Sequence, residues 1–212
     1  TFDNNRVTTS NIVVITMPMK VVDEAGRLEV KTVGCGRALF LTNLLGFSDD
    51  IASIKHICEK QGILLLEDNC ESLGSEYRGT KLGNFGLAST FSFFVGHHMS
   101  TVEGGAVCTD SERLANMLKI VRAHGWDRNL SLDRQTKFRT KFNVNSTFYS
   151  RYTFYDLGYN FRPTEISGFI GNKQLPYLNG IIKKRQDNFL YLAKILYKQS
   201  DKFYPIQYDH LD

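Results

Sequence analysis

Three consecutive stretches decide the fold: ALFLTNLL (residues 38–45), SDDIASIKHICEKQG (48–62) and ILLLED (63–68). The first and third are short, nearly continuous apolar runs of strand length. Gly46 ends the first with a turn residue. Between them Ser48 can cap a helix, and Asp49 and Asp50 suit its positive end. Ile51, Ile54 and Ile57 form an apolar stripe, and Gly62 stops the helix. Strand, helix and strand within about thirty residues make a βαβ unit, which requires parallel strands with a helical cover. The sequence therefore predicts an α/β fold.

Outward from this unit the pattern continues. Downstream of Asp68, CESLGSEYRGTKLGNFG is turn-rich, STFSFF is a third strand, and the loop VGHHMSTVEGG leads to a short strand, AVCT. Thr109 and Glu112 match a capping box, and Leu114, Met117, Leu118 and Val121 have helical spacing, predicting a helix over 111–123. Residues 126–156 are polar and aperiodic and read as a long excursion or flap. Pro163 opens a helix in RPTEISGFIGNKQL, and Pro176 interrupts it before a long helix whose apolar face is Leu178, Ile181, Ile182, Phe189, Leu192 and Leu196. Upstream, NIVVITM reads as a strand, and VVDEAGRLEVKTVGCG as a hairpin or connector.

With 212 residues the chain can bury a real core, and 42% apolar against 23% charged residues excludes a disordered or low-complexity architecture. Net charge +4 is too small and dispersed to indicate a nucleic acid or membrane partner. No apolar run reaches the length of a membrane span, and the polar start lacks signal-peptide features, so a cytoplasmic protein is expected. The first residue is Thr1, which raises the expectation of a piece of something longer. Cys35, Cys58, Cys70 and Cys108 form no C-x-x-C pair and read as reduced thiols.

Three places can carry chemistry. Asp68 stands at the carboxyl end of a strand, where open α/β sheets bind ligands, and it reads either as the partner of a ligand cation or as a turn cap. The segment FSFFVGHHMSTVEGG brings Ser92, His97, His98 and a Gly-Gly pair that permits close backbone approach to a ligand. Without HExxH or a supporting cysteine pattern, those histidines do not predict a metal, and a solvated loop is the other reading. In GYNFRPTEISG, Asn160 and Arg162 precede a helix start, where donors can hold a phosphate.

The motifs LLEDNCESLGS, TFSFFVGHH, VEGGAVCTD, VRAHGW and GYNFRPTEISGFIGNKQL occur in the order found in the DegT/DnrJ/StrS family of nucleotide-sugar aminotransferases, which the chain resembles from about Arg37 to Phe189. The resemblance implies a three-layer, type I pyridoxal-phosphate aminotransferase-like large domain, present here incompletely. Its sheet is mostly parallel, with helices on both faces. Residues 37–176 would be the central part of that domain, 177–212 a long helix leading toward a small domain, and 1–36 a poorly matched N-terminal segment. Asp68 matches the aspartate at the pyridine nitrogen, Ser92 a phosphate ligand, and Asn160 a phosphate ligand delivered by the neighbouring subunit. Glu71 stands in the cofactor region, where aminotransferases have Gln or His. Arg162 and His98 become substrate contacts.

His97 falls where the family has its Schiff-base lysine. An imidazole cannot replace that amine, but it can move protons near neutral pH. The change is shared with the 3-dehydratases of nucleotide-linked 4-keto-6-deoxy sugars, and EDNCES resembles the GDP-sugar members. A second subgroup carries an iron–sulfur cysteine cluster after RAHGW; residues 127–160 contain no cysteine, so no iron–sulfur cluster is expected. The resemblance thus implies pyridoxal or pyridoxamine 5'-phosphate, an amino donor such as glutamate, a homodimer, and catalysis by His97. An aminotransferase of the same family and a non-catalytic binding module are the competing readings.

Overall fold

The computed structural model describes residues 12–15 and 38–199. The expected connector before residue 37 and Cys35 lie outside the described residues. Contacts divide the chain into two compact units, 1–108 with 166–212, and 109–165.

The first unit is built on a five-stranded sheet in the order β1-β2-β3-β6-β7. Its strands are β1 (Ile12–Ile15), β2 (Ala38–Thr42), β3 (Leu64–Asp68), β6 (Ala88–Ser92) and β7 (Gly105–Cys108). The first four run parallel, and β7 returns antiparallel to β6. Helix α1 (Ile51–Gln61) crosses from β2 to β3, as the opening stretches predict. It buries Ile51, Ile54 and Cys58 against Leu39, Leu41 and Leu65, with Tyr77 and Leu82 completing the core. Each such aliphatic side chain contributes roughly 1.5–3 kcal/mol.

The helix starts on Asp50 rather than Ser48: the Asp50 carboxylate accepts the Ser53 N–H at 3.2 Å and the Ser53 hydroxyl at 2.7 Å. Gly62 ends it in the left-handed conformation, φ 65°. The turn-rich stretch hides a hairpin, β4 (Glu76–Tyr77) and β5 (Thr80–Lys81), whose two turn residues, Arg78 and Gly79, both have positive φ. Helices α5 (Glu165–Gln174) and α6 (Leu178–Leu196) are separated by a short 3-10 turn containing Pro176. On α6 the expected residues Leu178, Ile181, Ile182 and Phe189 are partly buried and Ala193 is buried beside them, whereas Leu192 and Leu196, expected on the same face, are exposed.

The second unit contains α2 (Glu112–Val121), α3 (Leu132–Lys141) and α4 (Thr147–Ser150). Ser111, not Thr109, caps α2 by accepting the Leu114 N–H at 3.3 Å. Thr109 instead accepts the N–H of Ser111 at 3.1 Å. The expected flap at 126–156 therefore contains two helices. Asp127, with no exposed surface, pairs with Arg139 Nε at 2.8 Å and anchors α3.

Candidate functional site

The site residues of the first unit gather at the carboxyl ends of β3 and β6. Thr42, Asp68 and Thr90 stand side by side in the sheet register. The Thr90 hydroxyl donates to Asp68 Oδ1 at 2.9 Å, and the Cys70 N–H donates to the same oxygen at 3.2 Å. Burial, reinforced by the charge of Asp68, pushes the Cys70 thiol up to about 11, so it stays protonated beside the carboxylate. Among the described residues no cation pairs with Asp68. A half-buried carboxylate held by neutral donors and lacking a counter-ion suits a ligand cation.

The neighbouring Glu67 faces the other way, since strand side chains alternate. It is fully buried and accepts the backbone N–H groups of Gly83, Phe85 and Gly86 at 2.6, 2.8 and 2.7 Å. Asn43 donates to Asn69 Oδ1 at 2.7 Å, fixing the chain just beyond both strand ends. Glu71, expected at the cofactor, accepts the Leu45 N–H at 2.8 Å and so holds the turn after β2.

Ser92 lies two residues after Thr90 and hence on the same face of β6. Its hydroxyl accepts the Phe94 N–H at 3.2 Å. His97 sits in a turn, donating its N–H to the Phe94 carbonyl at 3.0 Å, with the two rings edge to face at 6.1 Å. Gly105 is obligatory at the loop's return, because a Cβ there would come within 2.7 Å of the Phe91 carbonyl. Val102, by contrast, is a β-branched residue at φ 72°, a strained setting.

His98 is half-buried, and its Nδ1 has no hydrogen-bond partner among the described residues. Burial, reinforced by the charges of Arg185 and His97, pushes it down to about 4. The folded protein thus binds fewer protons than the unfolded chain between about 6.5 and 4. The stability due to this neutral histidine is present above that window and is lost as pH falls through it. Replacing His98 with Gln is expected to flatten the decline in urea midpoint between pH 7 and 4.5; an unchanged slope would assign the decline to other groups.

Asn160 and Arg162 belong to the second unit. There two motifs that are separate in the sequence meet: RAHGW and GYNFRP pair through a bridge between Ala123 and Asn160. His124 N–H donates to the Tyr159 carbonyl at 2.8 Å, and Phe161 N–H to the Arg122 carbonyl at 2.8 Å. Gly125, at φ 85°, has no room for a side chain against the Asp156 carbonyl. This clasp leaves Asn160 and Arg162 exposed. Sequence reading missed Thr90 and the structural duty of Glu67. The two-residue step from Thr90 to Ser92 was the available signal for the first.

Among the described residues no group of three His, Cys, Asp or Glu side chains could hold a metal ion, and no helix is long and apolar enough to cross a membrane.

The family profile described as the DegT/DnrJ/EryC1/StrS aminotransferase family matches residues 16–210. The chain belongs to this family. Among DegT/DnrJ/EryC1/StrS relatives, it is 43% identical over 152 residues to a GDP-4-keto-6-deoxy-D-mannose 3-dehydratase of Yersinia pseudotuberculosis, covering 72% of this chain and 38% of that protein. It is 30% identical over 170 residues to a UDP-4-amino-4,6-dideoxy-N-acetyl-beta-L-altrosamine transaminase of Helicobacter pylori, covering 80% of this chain and 40% of that one. Among solved structures it resembles the Escherichia coli GDP-4-keto-6-deoxy-D-mannose-3-dehydratase with bound hydrated PLP, with TM-score 0.65 and 38% identity over 74% of this chain and 40% of that chain. The chain thus spans about two fifths of the length of these relatives, and its sheet is part of an aminotransferase-like large domain.

Proposed function

We propose that this chain carries the cofactor-binding core of a pyridoxal/pyridoxamine 5'-phosphate-dependent 3-dehydratase acting on a nucleotide-linked 4-keto-6-deoxy sugar. The observation that carries the reading is the Asp68 carboxylate, held by Thr90 and Cys70 without a counter-ion among the described residues, in a chain with histidine at position 97. The 43% identity to the Yersinia dehydratase supports it.

The donor set fits the cofactor. Asp68 would hold a protonated ring nitrogen, Ser92 and an Asn160 delivered by a second copy of the chain the phosphate, and Glu71 the cofactor's flank. When bound, pyridoxamine phosphate supplies an amine that condenses with the sugar ketone and a ring that takes up negative charge. His97 would take up a proton on an imidazole nitrogen and return it, and His98 and Arg162 would contact the substrate. Glutamate is the expected amino donor. The histidine at position 97 also disfavours an aminotransferase, whose chemistry needs a primary amine there.

A homodimer follows from the same reading. Asn160 is presented outward between Tyr159 and Phe161, whose stacked rings are 60% and 68% exposed. Such a surface suits a second copy of the chain that receives Asn160 at its own phosphate site. A cytoplasmic location accords with the free Cys58, Cys70 and Cys108.

Titration with pyridoxamine phosphate tests the reading, followed by equilibrium dialysis or cofactor fluorescence. The chain is expected to bind it, and Asp68→Asn to weaken binding about 10- to 100-fold, the scale of one charge-assisted hydrogen bond. Equal affinity in the variant would remove Asp68 from the site.

A further inference from the structure

The loop between β6 and β7 carries His97. At its neck the Thr101 N–H donates to the Phe93 carbonyl at 2.9 Å, and the Phe93 N–H to the Gly104 carbonyl at 2.9 Å. Beyond the neck Phe94, Val95 and Gly96 are exposed, and the turn bond from His97 to Phe94 is local. Gln174, the last residue of α5, grips this outer part from another element. Its Oε1 accepts the Ser100 N–H at 3.0 Å, and its Nε2 donates to the Ser100 carbonyl. One primary amide therefore reads both backbone groups of a single loop residue, which fixes the height and the direction of the chain there.

A second contact lies three residues back on the same face of α5. At Gly171 an added Cβ would come within 3.2 Å of the Thr101 methyl, so the bare helix surface admits the loop closely. Val102, just beyond, keeps its strained φ of 72°. Strain of this kind persists only where the surroundings over-determine the backbone.

We propose that Gln174 is a positioning residue for His97: its amide, with the bare surface of Gly171 beside it, sets the height of the 97–101 loop and so the place where the imidazole meets the substrate. The inference rests on the reading of His97 as the proton carrier. A displacement of about 1 Å in a reacting group can cost on the order of a hundredfold in rate.

The test compares Gln174→Met, which keeps length without hydrogen bonds, with Gly171→Ala, in the full chain. Gln174→Met is expected to lower kcat at least about tenfold, with the KM for the nucleotide sugar and the affinity for pyridoxamine phosphate within about twofold. Gly171→Ala raises intrinsic helix propensity, so Tm should hold or rise while kcat still falls about threefold. A tie that only stabilises the fold would move activity and Tm together.

A second measurement needs no cofactor. In cofactor-free protein, Gln174→Met is expected to shift the His97 imidazole NMR signals and to speed exchange of the Ser100 amide, with the His56 signals on α1 unmoved. Unmoved His97 signals, or an unchanged kcat, would overturn the proposal. If the unsubstituted protein neither binds pyridoxamine phosphate nor converts the sugar, the functional reading fails and the NMR measurement alone decides the positioning role. If Gln174→Met does not fold, Gly171→Ala carries the test.

Discussion

Replacing His97 with asparagine is expected, on the proposed dehydratase reading, to lower turnover of the nucleotide sugar about a thousandfold while leaving the affinity for pyridoxamine phosphate within about twofold. Asparagine preserves a polar, planar group of similar reach, but it has no nitrogen that can take up and release a proton. The loop should not move, because what holds residue 97 in its turn is the backbone donation to the Phe94 carbonyl at 3.0 Å, which any residue can make. The ring's packing against Phe94 is a single edge contact at 6.1 Å, worth on the order of 1 kcal/mol. Steady-state kinetics with a GDP-linked 4-keto-6-deoxy sugar read the effect, and a loss of less than tenfold would take proton transfer away from His97. His97→Lys is the complementary variant. It places a primary amine at the same position, and borohydride treatment in the presence of pyridoxal phosphate should leave a covalent mass increase on the peptide containing residue 97. Labelling elsewhere would mean that another position faces the cofactor.

The largest expected effect on stability is at Glu67. Its carboxylate has no exposed surface and accepts three backbone donors from the segment that feeds β6. Glu67→Ala would leave those N–H groups without an acceptor and open a void. Glu67→Gln would turn an NH2 group toward donors. Either should cost about 3–5 kcal/mol, the usual result of breaking a buried charged cluster on one side. Gly86 cannot shift to relieve this, because it already lies against the Leu65 backbone, where even a Cβ would come within 2.6 Å of the carbonyl oxygen. Against a typical total of about 5–15 kcal/mol this is a large share of the stability, and the urea midpoint should fall in proportion. Urea denaturation measures the difference. The exposed pair Lys183–Asp187, at 3.4 Å, is the control: Lys183→Ala should cost less than about 0.5 kcal/mol. A Glu67 effect as small as the control's would mean that water replaces the carboxylate.

The βαβ unit was legible because its signals are local: apolar runs, a carboxylate near the helix start, and a glycine at the helix end. The cap moved from Ser48 to Asp50 because Asp50 can also accept the Tyr77 hydroxyl, a contact at 2.5 Å that depends on the hairpin. Helix α3 escaped notice because little of it is apolar. It is held by the Asp127–Arg139 pair and by Phe138 packing on Tyr155, both partners lying outside the helix itself. The same distinction divides the site. Asp68 and Ser92 were visible at strand ends, where alternation and topology assign a face. The two-residue step to Ser92 marks the face of Thr90, but Thr90 and Gln174 act through hydrogen bonds to groups 22 and 74 residues away in sequence, and no local pattern names those partners.

The antiparallel return of β7 alongside β6 has a mechanical meaning. In a crossover connection the two ends of a catalytic loop belong to strands that face the same way, and a helix lies between them. Here Phe91 pairs with Ala106 and Ser92 with Gly105, so both stems leave one rung of a single ladder. Residues 93–104 therefore form a cassette with a closed base, and a change of side chain at its tip need not propagate into the sheet. Transplanting that cassette between related frameworks, together with the Gln174 that grips Ser100, would leave the foundation standing.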